Sequence, residues 1–183
     1  HQSAEFKGRV IQNQYRPEGA KENMKLEEFS QSKSWQGKWI WAPNQGQIEN
    51  SYYYFRKEFT LKEISKELEL HITAETRYRL FINGKFVGEG PPQSQPYFKY
   101  YDIHKIASYL RTGNNCIGVI VNFTGTMPDT RGGLLLEVIE DDNNVIVKTD
   151  SEWQVKRAQA WQQNTLPIRG NNVATHQEVF DAR

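Results

Sequence analysis

Two long loops carry the side chains whose chemistry best matches a ligand. Residues 122–133 read NFTGTMPDTRGG, and residues 156–177 read KRAQAWQQNTLPIRGNNVATHQ. A sugar needs a flat ring to stack on and planar or charged partners for its hydroxyl groups. The loops therefore predict a sugar-binding site with Trp161 as the platform, and with Asp129, Arg131, Arg169 and Asn171 as polar partners. The alternative is that Trp161 packs its own loop down and that the Asn171-Asn172 pair forms a turn.

Catalytic chemistry finds little support in the same sequence. No G-x-S-x-G elbow, P-loop or dinucleotide fingerprint occurs. The histidines form no metal-spaced pair; they are His1, His71, His104 and His176. Carboxylates are plentiful, so a pair of them flanking a scissile bond stays an open alternative. We predict a chain without hydrolase activity of its own.

Composition narrows the function class further. The chain has 183 residues, which is enough for one domain with a real core, and its formal net charge is +1. That balance argues against a nucleic-acid partner, which usually requires a strong basic excess. No apolar run approaches the roughly 20 residues that span a membrane. The single cysteine, Cys116, excludes an internal disulfide framework and is expected to be a small buried hydrophobe on a strand.

Periodicity divides the chain into two parts. Residues 1–34 are polar and weakly patterned, and we interpret them as an arm or linker. The chain begins with His1 and not Met, which suggests a processed or excised piece. Residues 35–183 show short alternating segments, of which ELELHITAE is the clearest. Its apolar residues should form a buried strand face; they are Leu68, Leu70, Ile72 and Ala74.

Two local features complete the predicted fold. The segment RLFINGKFVGEGPP should be a hairpin turning at Asn83-Gly84, because these residues tolerate positive φ. Residues 103–110 have apolar side chains at helical spacing, which predicts a short helix with Asp102 as its N-cap. About eight or nine short strands and one short helix indicate an all-β antiparallel sandwich, or jelly roll. We interpret Gly88 and Gly90 as fold architecture and place binding in the long loops.

Several segments together resemble a known family. YYYFRKEFTL, LHITAETRYRLFINGKFVGEGP and YYDIHKIASYLRTGNNCIGVIV are similar to the galactose-binding-like β-sandwich that precedes the catalytic domain in several glycoside hydrolases. GGLLLEVIEDDNNVIVKTDSEWQV and EVFDAR more specifically resemble the N-terminal accessory β-sandwich of bacterial α-L-rhamnosidases. In that family a GE-YDAR segment leads to the following domain. Here Phe180 stands where the family has Tyr, and His176-Gln177 replace the glycine side of that segment. The resemblance covers residues 36–183.

The resemblance implies a function and partners. In that family the catalytic acids lie on a separate (α/α)6 barrel, so the chain is expected to be a non-catalytic accessory or carbohydrate-binding domain of a larger hydrolase. The implied partners are L-rhamnose or a rhamnose-containing glycan and the catalytic domain of the parent enzyme, with no nucleic acid and no membrane. Some family members bind calcium with the sugar, and Asp129 with nearby loop carbonyls is the candidate oxygen source here. The implied location is secreted or periplasmic.

Three alternatives remain open at this point. The sandwich could be a purely structural domain that packs on the catalytic barrel. It could instead be the sugar-binding domain of a β-galactosidase-type or β-glucuronidase-type hydrolase. The third alternative is an independent enzyme.

Overall fold

The computed structural model describes residues 33–44, 48–92, 99–125, 130–141, 144–170 and 173–181, with backbone alone for 167–170 and 173–175. The predicted arm at 1–34 therefore lies almost entirely outside the described residues. Within the described part the chain forms eleven strands: β1 Ser51–Leu61, β2 Glu69–Glu75, β3 Arg77–Ile82, β4 Lys85–Gly90, β5 Asp102–Lys105, β6 Gly113–Phe123, β7 Gly133–Glu140, β8 Asn144–Lys148, β9 Gln154–Arg157, β10 Pro167–Gly170 and β11 Val173–His176.

The strands form two antiparallel sheets and a separate hairpin. Sheet A has the order β4-β3-β6-β1-β9, and sheet B has the order β5-β2-β7-β8. Strands β10 and β11 pair with each other. Side chains from both sheets share one hydrophobic core between them. The predicted antiparallel β-sandwich is confirmed.

The core follows from the alternation in the sequence. The predicted face is buried on β2 and at the residue before it, since Leu68, Leu70, Ile72 and Ala74 are each at most 2% exposed. Side chains on a strand alternate between faces, so the residues between these four lie on the outer face of sheet B. Cys116 departs from expectation. It lies on β6 with intermediate exposure, because its neighbour Ile117 takes the core face.

The hairpin between β3 and β4 turns where the sequence predicts. Asn83 has φ 51° and Gly84 has φ 79°, the left-handed conformation that a two-residue hairpin turn requires. The Asn83 side chain also fastens the turn to the sandwich. Its Nδ2 donates to the carbonyl of Tyr109 at 2.9 Å, and its Oδ1 accepts from the amide of Cys116 at 3.0 Å.

The predicted helix at residues 103–110 is wrong. Residues 102–105 form β5, which pairs with β2, and only Ala107–Tyr109 form a single 3-10 turn. Sheet pairing overrides the local helical spacing, yet it buries Ile106 and Leu110 just as the helix would have done. Asp102 is consequently no N-cap, and its carboxylate accepts a hydrogen bond from Tyr78 of β3 instead.

Residues 33–42, here called the strap, close one side of sheet B. Ile40 exchanges two backbone hydrogen bonds of 3.0 Å with Leu134 at the start of β7. Further back, Gly37 donates its amide to the Glu137 carboxylate at 2.7 Å. The strap therefore pairs with the start of β7 through Ile40, and its earlier residues cover the outer face of the same strand at Glu137.

Candidate functional site

A groove of about 570 Å³ opens on the outer face of sheet A. It continues to the edge of the sandwich, where β4 of sheet A lies beside β5 of sheet B. Its lining comes from β1, β3, β4, β5, β6 and the C-terminal segment: Tyr52, Arg77, Tyr78, Arg79, Glu89, Gly90, Pro91, Pro92, Asp102, Ile103, His104, Ile120, Asn122, Trp161 and Glu178. The groove thus gathers residues that are far apart in the sequence.

Strand register builds the floor of this groove. Tyr52 pairs with Asn122, which pairs with Arg77 on its other side. Ile120 and Arg79 form the next outward-facing pair along the same strands. Because outward residues recur at every second position, Arg77 and Arg79 face the groove, while Tyr78, Leu80 and Ile82 enter the core.

Trp161 reaches the groove, but not as an open platform. Its indole stacks on Tyr52 with 4.8 Å between ring centroids and an interplanar angle of 11°. It also contacts the Phe180 ring at 5.0 Å and the Arg79 guanidinium at 5.1 Å. Only 8% of the residue is exposed. These contacts match the alternative interpretation, in which Trp161 packs its loop onto the sheet.

An ion-pair ladder lies along the floor of the groove. Arg79 approaches Glu89 and Glu178, each at 3.5 Å, and Arg77 approaches Glu178 at 3.8 Å. With Asp102, three carboxylates face two guanidinium groups, so the lining has no excess of positive charge. Burial first, and then Glu178, raises the pKa of Tyr52 to about 12, which keeps its hydroxyl protonated at neutral pH.

At the edge of the groove, one buried hydroxyl joins two polar side chains. Tyr78 is 1% exposed and donates its hydroxyl hydrogen to Asp102 Oδ2 at 2.5 Å. The same hydroxyl lies 2.9 Å from His104 Nε2. Burial raises the pKa of Asp102 and of Tyr78, and burial lowers the pKa of His104 although Asp102 opposes that change. The network is therefore poised to hold a neutral imidazole.

Two glycines of β4 make room for this network. A Cβ at Gly88 would lie 2.6 Å from His104 Cε1, and a Cβ at Gly90 would overlap Asp102 Oδ2. Real Cβ atoms do not approach other heavy atoms so closely, so any larger residue would displace these side chains. The Gly88 and Gly90 pair therefore does more than turn the chain, since it lets β5 side chains cross over β4.

The other predicted site residues do not join Trp161 within the described part of the chain. Arg131 is exposed and is not among the lining residues of the groove. Asp129 and Asn171 lie outside the described residues, as does the side chain of Arg169 on β10. Their role in sugar binding stays a prediction. Calcium binding by Asp129 also stays a prediction. The described residues contain no group of three or more His, Cys, Asp or Glu that could hold a metal ion.

Sequence reasoning missed most of the groove, although a signal was present. Residues two apart on a strand share a face, and three such pairs meet here: Arg77 with Arg79, Gly88 with Gly90, and Asp102 with His104. A glycine pair at this spacing marks a bare strand face where another element lies close.

No helix in the described segments is long and apolar enough to cross a membrane.

The similarity of this chain to known proteins lies in its fold. No protein-family model and no curated protein sequence matches the chain. Among solved structures, the GH78 family rhamnosidase of Bacillus sp. GL1 matches over 83% of this chain with 34% identity and a TM-score of 0.74. This chain is similar to a rhamnosidase accessory domain. The resemblance read from the sequence is thereby confirmed.

Two further α-L-rhamnosidases share this fold. The enzyme from Dictyoglumus thermophilum matches 81% of the chain at 21% identity with a TM-score of 0.66. The enzyme from Aspergillus terreus matches 66% at 25% identity with a TM-score of 0.53. The chain spans only 16%, 18% and 16% of these three rhamnosidases. The similarity thus concerns one domain of a much longer enzyme.

Proposed function

We propose that this chain is a non-catalytic accessory domain of a larger α-L-rhamnosidase and that it binds a rhamnose-containing glycan in the groove. The observation that carries the proposal is the groove itself, a polar cleft of about 570 Å³ on the outer face of sheet A. Similarity to a GH78 rhamnosidase at 34% identity supports the parent enzyme class.

The charges of the groove favour a neutral sugar. Arg79 is shared between Glu89 and Glu178 at 3.5 Å each, so this guanidinium and these two carboxylates largely neutralise one another. Carboxylate and guanidinium groups are nonetheless good hydrogen-bond partners for neighbouring hydroxyl groups, because each presents two polar atoms in one plane. A neutral, hydroxyl-rich ring therefore fits this lining better than a uronate.

Affinity is expected to be modest. Tyr52 is 4% exposed and Trp161 is 8% exposed, so little aromatic surface is open for stacking. Hydrogen bonds then supply most of the binding free energy, and their net worth in water is small. We expect a Kd on the order of 10⁻³ to 10⁻⁵ M, which corresponds to about −4 to −7 kcal/mol.

Calorimetric titration of the chain with L-rhamnose tests the proposal. Arg79→Ala should weaken binding about fivefold or more, because it removes a hydrogen-bonding group and releases Glu89 and Glu178. Arg56→Ala is the matched control, since Arg56 is an exposed arginine that pairs with Glu58 on β1 outside the groove. Absence of binding at millimolar L-rhamnose would contradict the proposed sugar binding.

A purely structural domain is the second candidate. Two large apolar side chains in the C-terminal part of the chain are exposed: Leu166 is 84% exposed, and Phe180, which contacts Trp161, is 56% exposed. Such residues suit a contact with a neighbouring domain. This candidate expects no rhamnose binding by the isolated chain.

Catalysis is the outcome that would overturn both candidates. We expect no turnover of an aryl α-L-rhamnoside by the chain alone. Turnover that disappears in Glu178→Gln or Asp102→Asn would place an acid or base of the reaction in the groove.

A further inference from the structure

The edge of the groove contains a donor and acceptor pattern that restricts the ligand. Tyr78 has one hydroxyl hydrogen, and it goes to Asp102 Oδ2 at 2.5 Å. The 2.9 Å contact between the Tyr78 oxygen and His104 Nε2 must then use a hydrogen on that nitrogen. A neutral imidazole that carries its hydrogen on Nε2 has a bare acceptor at Nδ1.

Among the described residues, two acceptors therefore remain without a partner at this edge. One is His104 Nδ1, and the other is Oδ1 of the Asp102 carboxylate, since Oδ2 serves Tyr78. Asp102 and His104 are two apart on β5, so both point to the same side of the strand, and both line the groove. Their shared contact with one hydroxyl brings the two side chains close together.

The β4 strand keeps this pair open. A Cβ at Gly88 would stand 3.2 Å from His104 Nδ1, and a Cβ at Gly90 would overlap the Asp102 carboxylate. Glycine at both positions leaves room for the imidazole and the carboxylate, which a larger residue would displace. Tyr78, buried to 1% exposure, holds both groups from beneath, so they are oriented before any ligand arrives.

We propose that Asp102 and His104 are the specificity-determining residues of the groove and that they accept hydrogen bonds from two neighbouring hydroxyl groups of a neutral sugar. This inference rests on the proposed sugar binding and adds to it the part of the ligand that is recognised. The partner must donate at two adjacent positions, so the ligand class is a sugar with a free vicinal diol. A ligand that offers only acceptors at these positions leaves a carboxylate oxygen and a ring nitrogen unpaired.

Methyl ethers of the sugar distinguish a hydroxyl group that must donate a hydrogen bond from an oxygen that only needs to be present as an acceptor. Methyl α-L-rhamnopyranoside and its mono-O-methyl ethers, one for each ring hydroxyl, are titrated into the unmodified chain by calorimetry. Methylation keeps the oxygen as an acceptor and removes its hydrogen. Two ethers at adjacent positions should bind about fivefold to tenfold more weakly than the parent glycoside, and the third should bind as well as the parent.

Variants then assign the effect to the residues. Asp102→Asn and His104→Gln should lower affinity for the parent glycoside but not for the ether that lacks the matching donor, so the ratio between the two sugars falls toward one. A merely structural role would lower both affinities together and keep that ratio. Lys105→Gln is the matched control, because Lys105 is exposed on β5 and absent from the groove lining.

The outcomes separate this inference from the proposed function. No binding of the parent glycoside would overturn both. Binding with equal affinity for all the ethers would leave the proposed function standing and overturn the inference. The ether series uses the unmodified chain, so the inference stays testable even if a variant fails to fold.

Discussion

The two outer faces of the sandwich carry similar charged residues in opposite surroundings. On sheet B the strap covers Glu137, which is 1% exposed and pairs with Lys33 at 3.1 Å. On sheet A no described segment crosses the groove as a strap, and Glu178, 41% exposed, pairs with Arg79 at 3.5 Å. An ion pair between a glutamate and a basic residue is thus a structural anchor when it is covered and an accessible polar surface when it is not.

The difference shows where sequence alone misleads about function. In the sequence Glu137 and Glu178 are both ordinary charged residues, yet only the surrounding structure decides whether a ligand can reach their carboxylates. Covered pairs cost desolvation and must be fully hydrogen-bonded, as Glu137 is by the amides of Gln36 and Gly37. Open pairs contribute little to stability and are free to exchange partners.

The largest expected effect is a loss of stability when the covered carboxylate of Glu137 on sheet B is removed. Glu137→Ala should destabilise the domain by about 3–5 kcal/mol, because it strands a half-buried ammonium and two backbone amides without their acceptor. Chemical denaturation followed by fluorescence measures this. Glu178→Ala is the counterpart on the open face and should cost less than about 1 kcal/mol. Equal losses for the two variants would erase the distinction between the faces.

Trp161→Ala tests how much of sheet A is covered despite its groove. With 8% of the residue exposed and Tyr52 stacked against it, its loss should cost about 3 kcal/mol in unfolding free energy. Phe86→Ala is the control, since Phe86 is 53% exposed on β4 and should lose under about 1 kcal/mol. A loss near zero for Trp161→Ala would instead favour the interpretation of Trp161 as an open stacking platform for a sugar.

Two glycine variants test how tightly β4 packs against the Asp102 side chain at the edge of the sandwich. Gly90→Ala should destabilise by about 1–3 kcal/mol, because the new Cβ would overlap Asp102 Oδ2. Gly118→Ala on β6 meets nothing within 4 Å and should change stability by less than about 0.5 kcal/mol. Equal tolerance at both positions would mean that Asp102 moves aside without cost.

The smallest effect is a pH dependence shared by both faces. Burial lowers the pKa of His71 on sheet B and of His104 in the groove from the ordinary value of 6.5. The unfolded chain then binds more protons than the folded chain, so the unfolding free energy should fall as pH drops below about 6.5. Asp102, whose pKa burial raises, acts in the opposite direction at lower pH.

Single variants divide this slope between the faces. His71→Gln and His104→Gln should each flatten the fall in stability between pH 7.5 and 5.5, as measured by denaturation at each pH. A slope that neither variant changes would place the titrating group elsewhere.

Much of the fold could be predicted from the sequence, because alternation records which strand face is buried. The Leu68 to Ala74 face and the Asn83-Gly84 turn both formed as expected. The helix at 103–110 failed because its apolar residues suit either a helix or a strand followed by a 3-10 turn. Only the pairing of β5 with β2, which the sequence does not reveal, decides between them.

The site was harder to predict because its parts meet through tertiary structure. Trp161 was found, but its covering ring belongs to Tyr52 on β1, and the guanidinium above it comes from β3. Tyr78 reads as an ordinary core aromatic in its strand. Its hydroxyl gains a role only when β5 brings Asp102 and His104 beside it.

The strap also constrains the order in which the chain folds. Its bond from the Gly37 amide to Glu137 joins residues 100 positions apart, whereas the hairpin at Asn83 joins adjacent strands. Closing long loops costs entropy before any contact repays it, so hairpins form within about 1–10 μs while such sandwiches take milliseconds to seconds. Pulse-labelled hydrogen exchange during refolding should therefore protect the amides of the β3–β4 ladder early and the Gly37 amide among the last.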